Sequence, residues 1–389
     1  MNIMRTTELH PTRRRGAPAS RDAALQLAEI RRILAGMNFV AEPIEALATH
    51  EPTASAMVPP NLQQLFKAGD LDDRLLWAKR LAGDTKAVVL QHLLKARELG
   101  CMRRVAGPPS AEAVYALERD FPHCDAVTDL LRRRIALGNC CPAPTLNLPP
   151  MLLSGKPGSG KTAFAKRVAA MLGVPCHEVD MASLHTSFTM VGLDAGYGTG
   201  RPGALWDALQ AECMSPVVIL DELDKAGSDD PSDDPTGFLY SVLEPLTARR
   251  FLDAAIGLPI DASRVSWIAT CNDHRRIHPA ILSRFLLVDI DYPSAGQMPA
   301  VVASIHRDMM AHSEWAAWFE QTLAREVVHA LSMMAPREVR QTLEDAYANA
   351  ASDGRRCVLP TDVQEVRRRA PVRTPIGFIH SSANEGGAQ

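Results

Sequence analysis

Residues 155–162 read GKPGSGKT, directly after the apolar run MLLS and directly before KTAFAKRVAAML, whose apolar residues fall at helical spacing. A glycine-rich turn between a buried strand and a helix commits the chain to a narrow set of structures. The glycines let successive backbone N–H groups point inward and cradle phosphate oxygens. The helix N-terminus adds its partial positive charge at the same place. The pattern G-x-x-x-x-G-K-[ST] is matched in full, so Gly155, Pro157, Gly158, Ser159 and Gly160 are expected to shape the cradle. Lys161 is expected to reach the β- and γ-phosphates of a nucleotide, and Thr162 to supply a hydroxyl to Mg2+. ATP and Mg2+ are therefore the expected ligands.

A second stretch, VVILDELDK at 217–225, runs from four apolar residues straight into adjacent carboxylates. Such a run reads as a strand buried on both faces of a parallel sheet. Acids at its tip are costly unless a cation sits beside them. In P-loop NTPases an aspartate in this position helps to hold the Mg2+, which is the part expected of Asp221. Glu222 stands one residue on, where a second carboxylate can accept a proton from an attacking water. An aspartate alone would suit a nucleotide switch; the pair predicts hydrolysis.

The pattern around these motifs gives the organisation. From about 121 to 292, short apolar runs (MLLS, PCHEVD, PVVIL, VSWIATC, FLLVDID) alternate with helical segments, the signature of a parallel sheet with helices on both faces. The expected fold class is α/β, a P-loop NTPase. A helical N-terminal region is expected over 21–120, a helical lid over 293–369, a basic disordered tail over 1–20 and a loose tail over 370–389. In the N-terminal region Ser110 is the expected cap of the helix SAEAVYALERDF. The stretch SEWAAWFEQTLAREVVHALSMM (313–334) reads as one helix. The net charge of −3 over 389 residues gives no general argument for a nucleic-acid partner. Eight cysteines without a CxxC pair fit reduced thiols of a cytoplasmic protein, and no apolar stretch approaches a membrane span.

LDELDK after an apolar strand, IATCN on a later one and PAILSRF beyond it together resemble an AAA+ ATPase. The order and spacing of FTMVG, LYSVLEPLTARRFLDAAIGLPIDASRVSWIATCN and APREVRQTLEDA are similar to the ATPase module of Lon-type proteases over about 121–366. That resemblance implies further roles. Asn272 is the sensor 1 residue that orients the attacking water. Arg284 is the arginine finger for a neighbouring subunit's ATP. Arg337 is the sensor 2 residue, reaching the same subunit's phosphates from the lid. Met190 and Val191 hold the pore-loop places that grip polypeptide, methionine standing where an aromatic is usual. A finger acting in trans implies a ring, in this family usually a hexamer.

The chain departs from Lon in its peptidase. PSAG at 293–296 looks like part of the peptidase motif, but it follows the last core strand, and no lysine occurs after Lys225 to complete a Ser–Lys dyad. The expected function is thus ATP-driven remodelling or unfolding of a protein partner, with no peptidase in this chain. The alternatives are a nucleic-acid-associated loader or repair motor, favoured by the arginine clusters near 13, 103, 132 and 367, and an ATP-gated regulatory scaffold. The acidic loop GSDDPSDDP at 227–235 weighs against a nucleic-acid backbone in the pore.

Overall fold

The computed structural model describes residues 62–81, 83–141, 143–196, 199–227 and 234–369. The expected basic tail, the first predicted helix and the linker that follows it lie outside the described residues. So do the centre of the acidic loop and the tail from 370.

The described chain begins with β1 (Leu62–Gln64), α1 (Ala68–Ala78), α2 (Gly83–Leu99) and β2 (Met102–Arg104), β2 pairing antiparallel with β1. Then come α3 (Ala111–Asp120) and α4 (Asp125–Asn139). Ser110 caps α3 as the sequence predicts, its hydroxyl accepting from the Ala113 N–H at 3.2 Å. The α/β core comprises β3 (Met151–Ser154), α5 (Lys161–Leu172), β4 (Cys176–Asp180), short α6 (Phe188–Val191), α7 (Ala204–Ala208) and β5 (Val217–Asp221). It continues through a 3-10 turn at Leu223–Lys225, α8 (Leu239–Val242), α9 (Pro245–Ala248), the ribbon β6 (Phe251–Leu252) and β7 (Pro259–Ile260), β8 (Ser266–Cys271), α10 (Pro279–Leu282) and β9 (Leu286–Asp289). The lid holds α11 (Met298–His312), α12 (Arg325–Ser332), α13 (Pro336–Ser352) and α14 (Pro360–Arg369).

Five strands make the central sheet in the order β4-β5-β8-β3-β9, and every neighbouring pair is parallel. Parallel neighbours need crossovers, which lay helices on both faces. The apolar runs serve this well because alternate residues feed opposite cores. Val217 and Ile219 join Met151, Leu153 and Phe164 on one face, while Val218 and Leu220 join Leu152, Trp206 and Trp267 on the other. Burying each such side chain stabilises the fold by about 1.5–3 kcal/mol. Val114 and Leu117 of α3 belong to the first of these clusters, so α3 packs on the sheet together with α5. The lid has its own core, with Val302, Val327, Leu331, Val339 and Leu343 fully buried.

Some expectations change. The helical part of TGFLYSVLEPL divides into α8 and α9, because Pro245 pushes Glu244 into an extended conformation (ψ 118°) and opens a new helix at its first turn. The single helix expected over 313–334 is also broken. Glu314–Trp318 is 3-10, and α12 begins only after Ala324. Phe319 packs against Trp315, Trp318 and Tyr347, and the Glu320 N–H donates to the Arg356 carbonyl at 2.8 Å. Those contacts outweigh the local preference for helix.

Candidate nucleotide site

The phosphate loop turns from β3 into α5. Gly158 (φ 84°) and Gly160 (φ 94°) occupy the left-handed region that glycine takes without strain. Gly155 has a different reason: a Cβ there would run into the Ile290 carbonyl oxygen. Lys161 is buried, and its ammonium donates to the carbonyls of Gly155 (2.8 Å) and Lys156 (3.0 Å) and to Asn272 Oδ1 (3.2 Å). Burial lowers its pKa, while Cys271, Asp221, Asp224 and Glu222 act in the opposite direction.

Both predicted carboxylates stand at the end of β5. Asp221 Oδ1 accepts from the Thr162 hydroxyl at 2.7 Å and from the Thr270 hydroxyl at 2.6 Å. Thr270 in turn accepts the Glu222 N–H at 3.1 Å. A hydroxyl and a carboxylate oxygen are the hard donors that Mg2+ takes, so Thr162 and Asp221 fit that ion. Glu222 is the one non-glycine residue with positive φ among the described residues (φ 56°, ψ 44°). That conformation costs of order 1–3 kcal/mol and is typical of functional turns. Its carboxylate accepts from Lys225 Nζ at 2.6 Å, a bond that raises the Lys225 pKa.

Asn272 follows β8 directly and meets Lys161, so the structure brings the phosphate loop, the acid strand and the predicted sensor together. Arg337, in the first turn of α13, lies against the loop: a Cβ built on Gly158 would be 3.3 Å from the Arg337 Cβ. Arg284 is elsewhere. Its guanidinium donates to the Ala280 carbonyl and lies 5.4 Å from the Tyr240 ring centroid, and its buried Nε has no partner among the described residues.

Four contributors went unassigned in the sequence. Asp224 is buried and accepts the N–H groups of Asn272 (3.1 Å) and Asp273 (3.0 Å), fixing the end of β8. Thr270 bridges the two acids. His123 Nε2 donates to the Ser159 carbonyl at 2.9 Å, and the Tyr292 hydroxyl donates to the Pro157 carbonyl at 2.5 Å. Asp224 carried a faint signal, as a third acid three residues after Asp221. The others meet the site only through tertiary structure.

The pore-loop expectation needs correction at Met190. Met190 lies in α6 at 1% exposure, within the main apolar cluster, so its side chain grips nothing in this conformation. Val191 is half-buried, and the exposed aromatic of the segment is Phe188, at 49%. Val191 lines a hollow of about 570 Å3 with Phe238, Leu246, Phe251 and Leu252 among others. Asp253, fully buried, anchors the base of the loop by accepting from the N–H groups of Gly203 (2.8 Å), Ala255 and Ile256 (both 3.0 Å).

Parallel sheet, phosphate loop and acid strand together define an AAA P-loop ATPase fold, and residues 151–290 match the family model for the ATPase family associated with various cellular activities (AAA). Within that class the sequence is similar to Lon. It is 34% identical over 150 residues to Lon protease homolog 2, peroxisomal, of Pichia angusta, covering 38% of this chain and 16% of that protein. It is 33% identical over 143 residues to the Lon protease of Syntrophus aciditrophicus, covering 36% and 18%. The match thus spans under a quarter of the length of these relatives. The S. cerevisiae Hsp104:casein complex in its extended conformation shares the fold, with a TM-score of 0.53 at 18% identity over 65% of this chain and 51% of that one.

Proposed function

We propose that this chain is a Lon-like ATPase that binds and hydrolyses ATP with Mg2+ in an oligomeric, hexameric ring, and uses the cycle to remodel or unfold a protein partner. The observation that carries the reading is the joint placement of Lys161 on Asn272 and of Thr162 on Asp221. Three segments distant in sequence meet at the phosphate loop, which supports binding of a triphosphate and its cation there. Thr162 and Asp221 would hold the Mg2+, which supplies charge neutralisation at the phosphates. Lys161 exchanges its loop carbonyls for phosphate oxygens. Glu222 is the proposed acceptor of the proton from the attacking water, Asn272 its orienting partner, and Arg337 a same-chain contact to phosphate.

Arg284 supports the ring. Its contacts are with α8 and α10 and not with residues 155–162, which leaves it for the site of a second copy. No helix among the described residues is long and apolar enough to cross a membrane, and the proposed setting is the cytoplasm.

The test is steady-state ATP turnover with an unfolded polypeptide, single-stranded DNA or double-stranded DNA added, alongside particle mass in ATP by sedimentation. The reading predicts stimulation by polypeptide and a ring-sized particle. Stimulation by DNA alone would replace it with the nucleic-acid motor, and slow turnover indifferent to both with the regulatory scaffold.

A further inference from the structure

Outside the nucleotide site, one buried carboxylate collects three guanidinium groups. Asp120, the last residue of α3, is 3% exposed. Its Oδ1 accepts from Arg119 Nε at 3.1 Å and from an Arg307 terminal nitrogen at 2.7 Å, and its Oδ2 accepts from Arg167 at 3.1 Å. The three arginines come from three elements. Arg119 is on α3 itself, Arg167 is on α5, the helix that opens with Lys161 and Thr162, and Arg307 is on α11, the first helix of the lid.

A buried carboxylate is costly unless charges and hydrogen bonds satisfy it. Here the cations that satisfy it belong to the two bodies whose separation matters to a nucleotide. The lid touches the phosphate loop through Arg337 against Gly158, and Tyr292, just before the lid, reaches Pro157, both at exposed positions. The amide of Gln297, just before α11, donates to the Pro122 carbonyl at 2.8 Å, next to His123, which itself holds Ser159. Asp120 is the buried member of this set.

We propose that Asp120 is a positioning residue for the nucleotide site: through Arg167 and Arg307 it fixes the lid against the phosphate-loop helix and so holds Arg337 over Gly158. It touches no nucleotide and takes no part in hydrolysis. Arg119, on the same helix as Asp120, joins no second element among the described residues and serves as the internal control. The inference rests on the proposed ATPase reading, because it needs a nucleotide to read.

The experiment compares full-length wild type with Arg307→Ala, Arg307→Lys, Asp120→Asn and Arg119→Ala, by equilibrium binding of a fluorescent ADP and by KM and kcat for ATP. Wild type is measured first: if it binds no nucleotide, the ATPase reading fails and this inference with it. Given binding, Arg307→Ala is expected to weaken affinity and raise KM by at least about threefold with kcat little changed, a loss of uniform binding. Asp120→Asn follows in the same direction, Arg307→Lys recovers much of the loss and Arg119→Ala matches wild type. Arg307→Ala keeps Asp120 paired with two arginines, so the test stands even if Asp120→Asn does not fold. Unchanged affinity in Arg307→Ala overturns the proposal. So does an equal loss in Arg119→Ala, or a loss confined to kcat.

Discussion

Lys161 holds three oxygen acceptors at once, and its ammonium stands in the phosphate loop, where it can exchange them for phosphate oxygens. Replacing it with alanine removes the charge and leaves the loop carbonyls and Asn272 without their donor. Lys161→Ala is therefore expected to lose tight ATP binding, a drop of two or more orders of magnitude in affinity by titration calorimetry, and near-wild-type affinity would refute the loop assignment. The loop, Asp221 and Glu222 were legible in sequence because each sits at a fixed offset in a local strand–turn motif. Asp224, Thr270, His123 and Tyr292 were not. Their bonds to the site span from 36 residues, for His123 and Ser159, to 135, for Tyr292 and Pro157, and no local pattern encodes such a meeting.

Among elements, the core strands were readable because burial on both faces makes them continuous apolar runs. The ribbons β1–β2 and β6–β7 were missed, since two or three residues give no period to read. The segment around α6 taught the opposite lesson: motif register pointed to Met190, while packing buried it and exposed Phe188. Met190→Ala should then cost about 2–5 kcal/mol of stability, and Phe188→Ala within about 0.5 kcal/mol, read by thermal or denaturant unfolding. Equal small effects would return Met190 to the loop surface.

The base of that loop is also pH-sensitive. Burial pushes the Asp253 carboxyl up to about 6, only partly offset by its three N–H donors. A raised folded pKa means the folded state holds the proton more tightly. The stabilising contribution is complete below the unfolded value near 4 and is lost as pH rises through about 6, by about 3 kcal/mol at most. Wild type should lose stability relative to Asp253→Asn as pH rises from 4 to 7. A difference independent of pH would show that the carboxyl titrates normally.

For the whole molecule, the alternation of strands and helices foretold a parallel sheet with helices on both faces, and the sheet order adds what the pattern leaves out, with β3 and its phosphate loop between β8 and β9. Assembly is argued at this scale. Arg284→Ala should lower turnover far more than nucleotide affinity, since fingers in other P-loop enzymes contribute about 10³–10⁵ in rate. Mixing it with Glu222→Gln should restore part of the activity, because some interfaces then pair an intact finger with an intact acid. No recovery in the mixture would place Arg284 outside a shared site.

The most direct test of the central claim measures ATP binding and single-turnover hydrolysis side by side in wild type and Glu222→Gln. Wild-type affinity with hydrolysis slowed by about 10²–10⁴, the usual span of general-base catalysis, is the predicted result. Hydrolysis at the wild-type rate in that variant, with ATP bound, would contradict the assignment of this acid and of the site built around it.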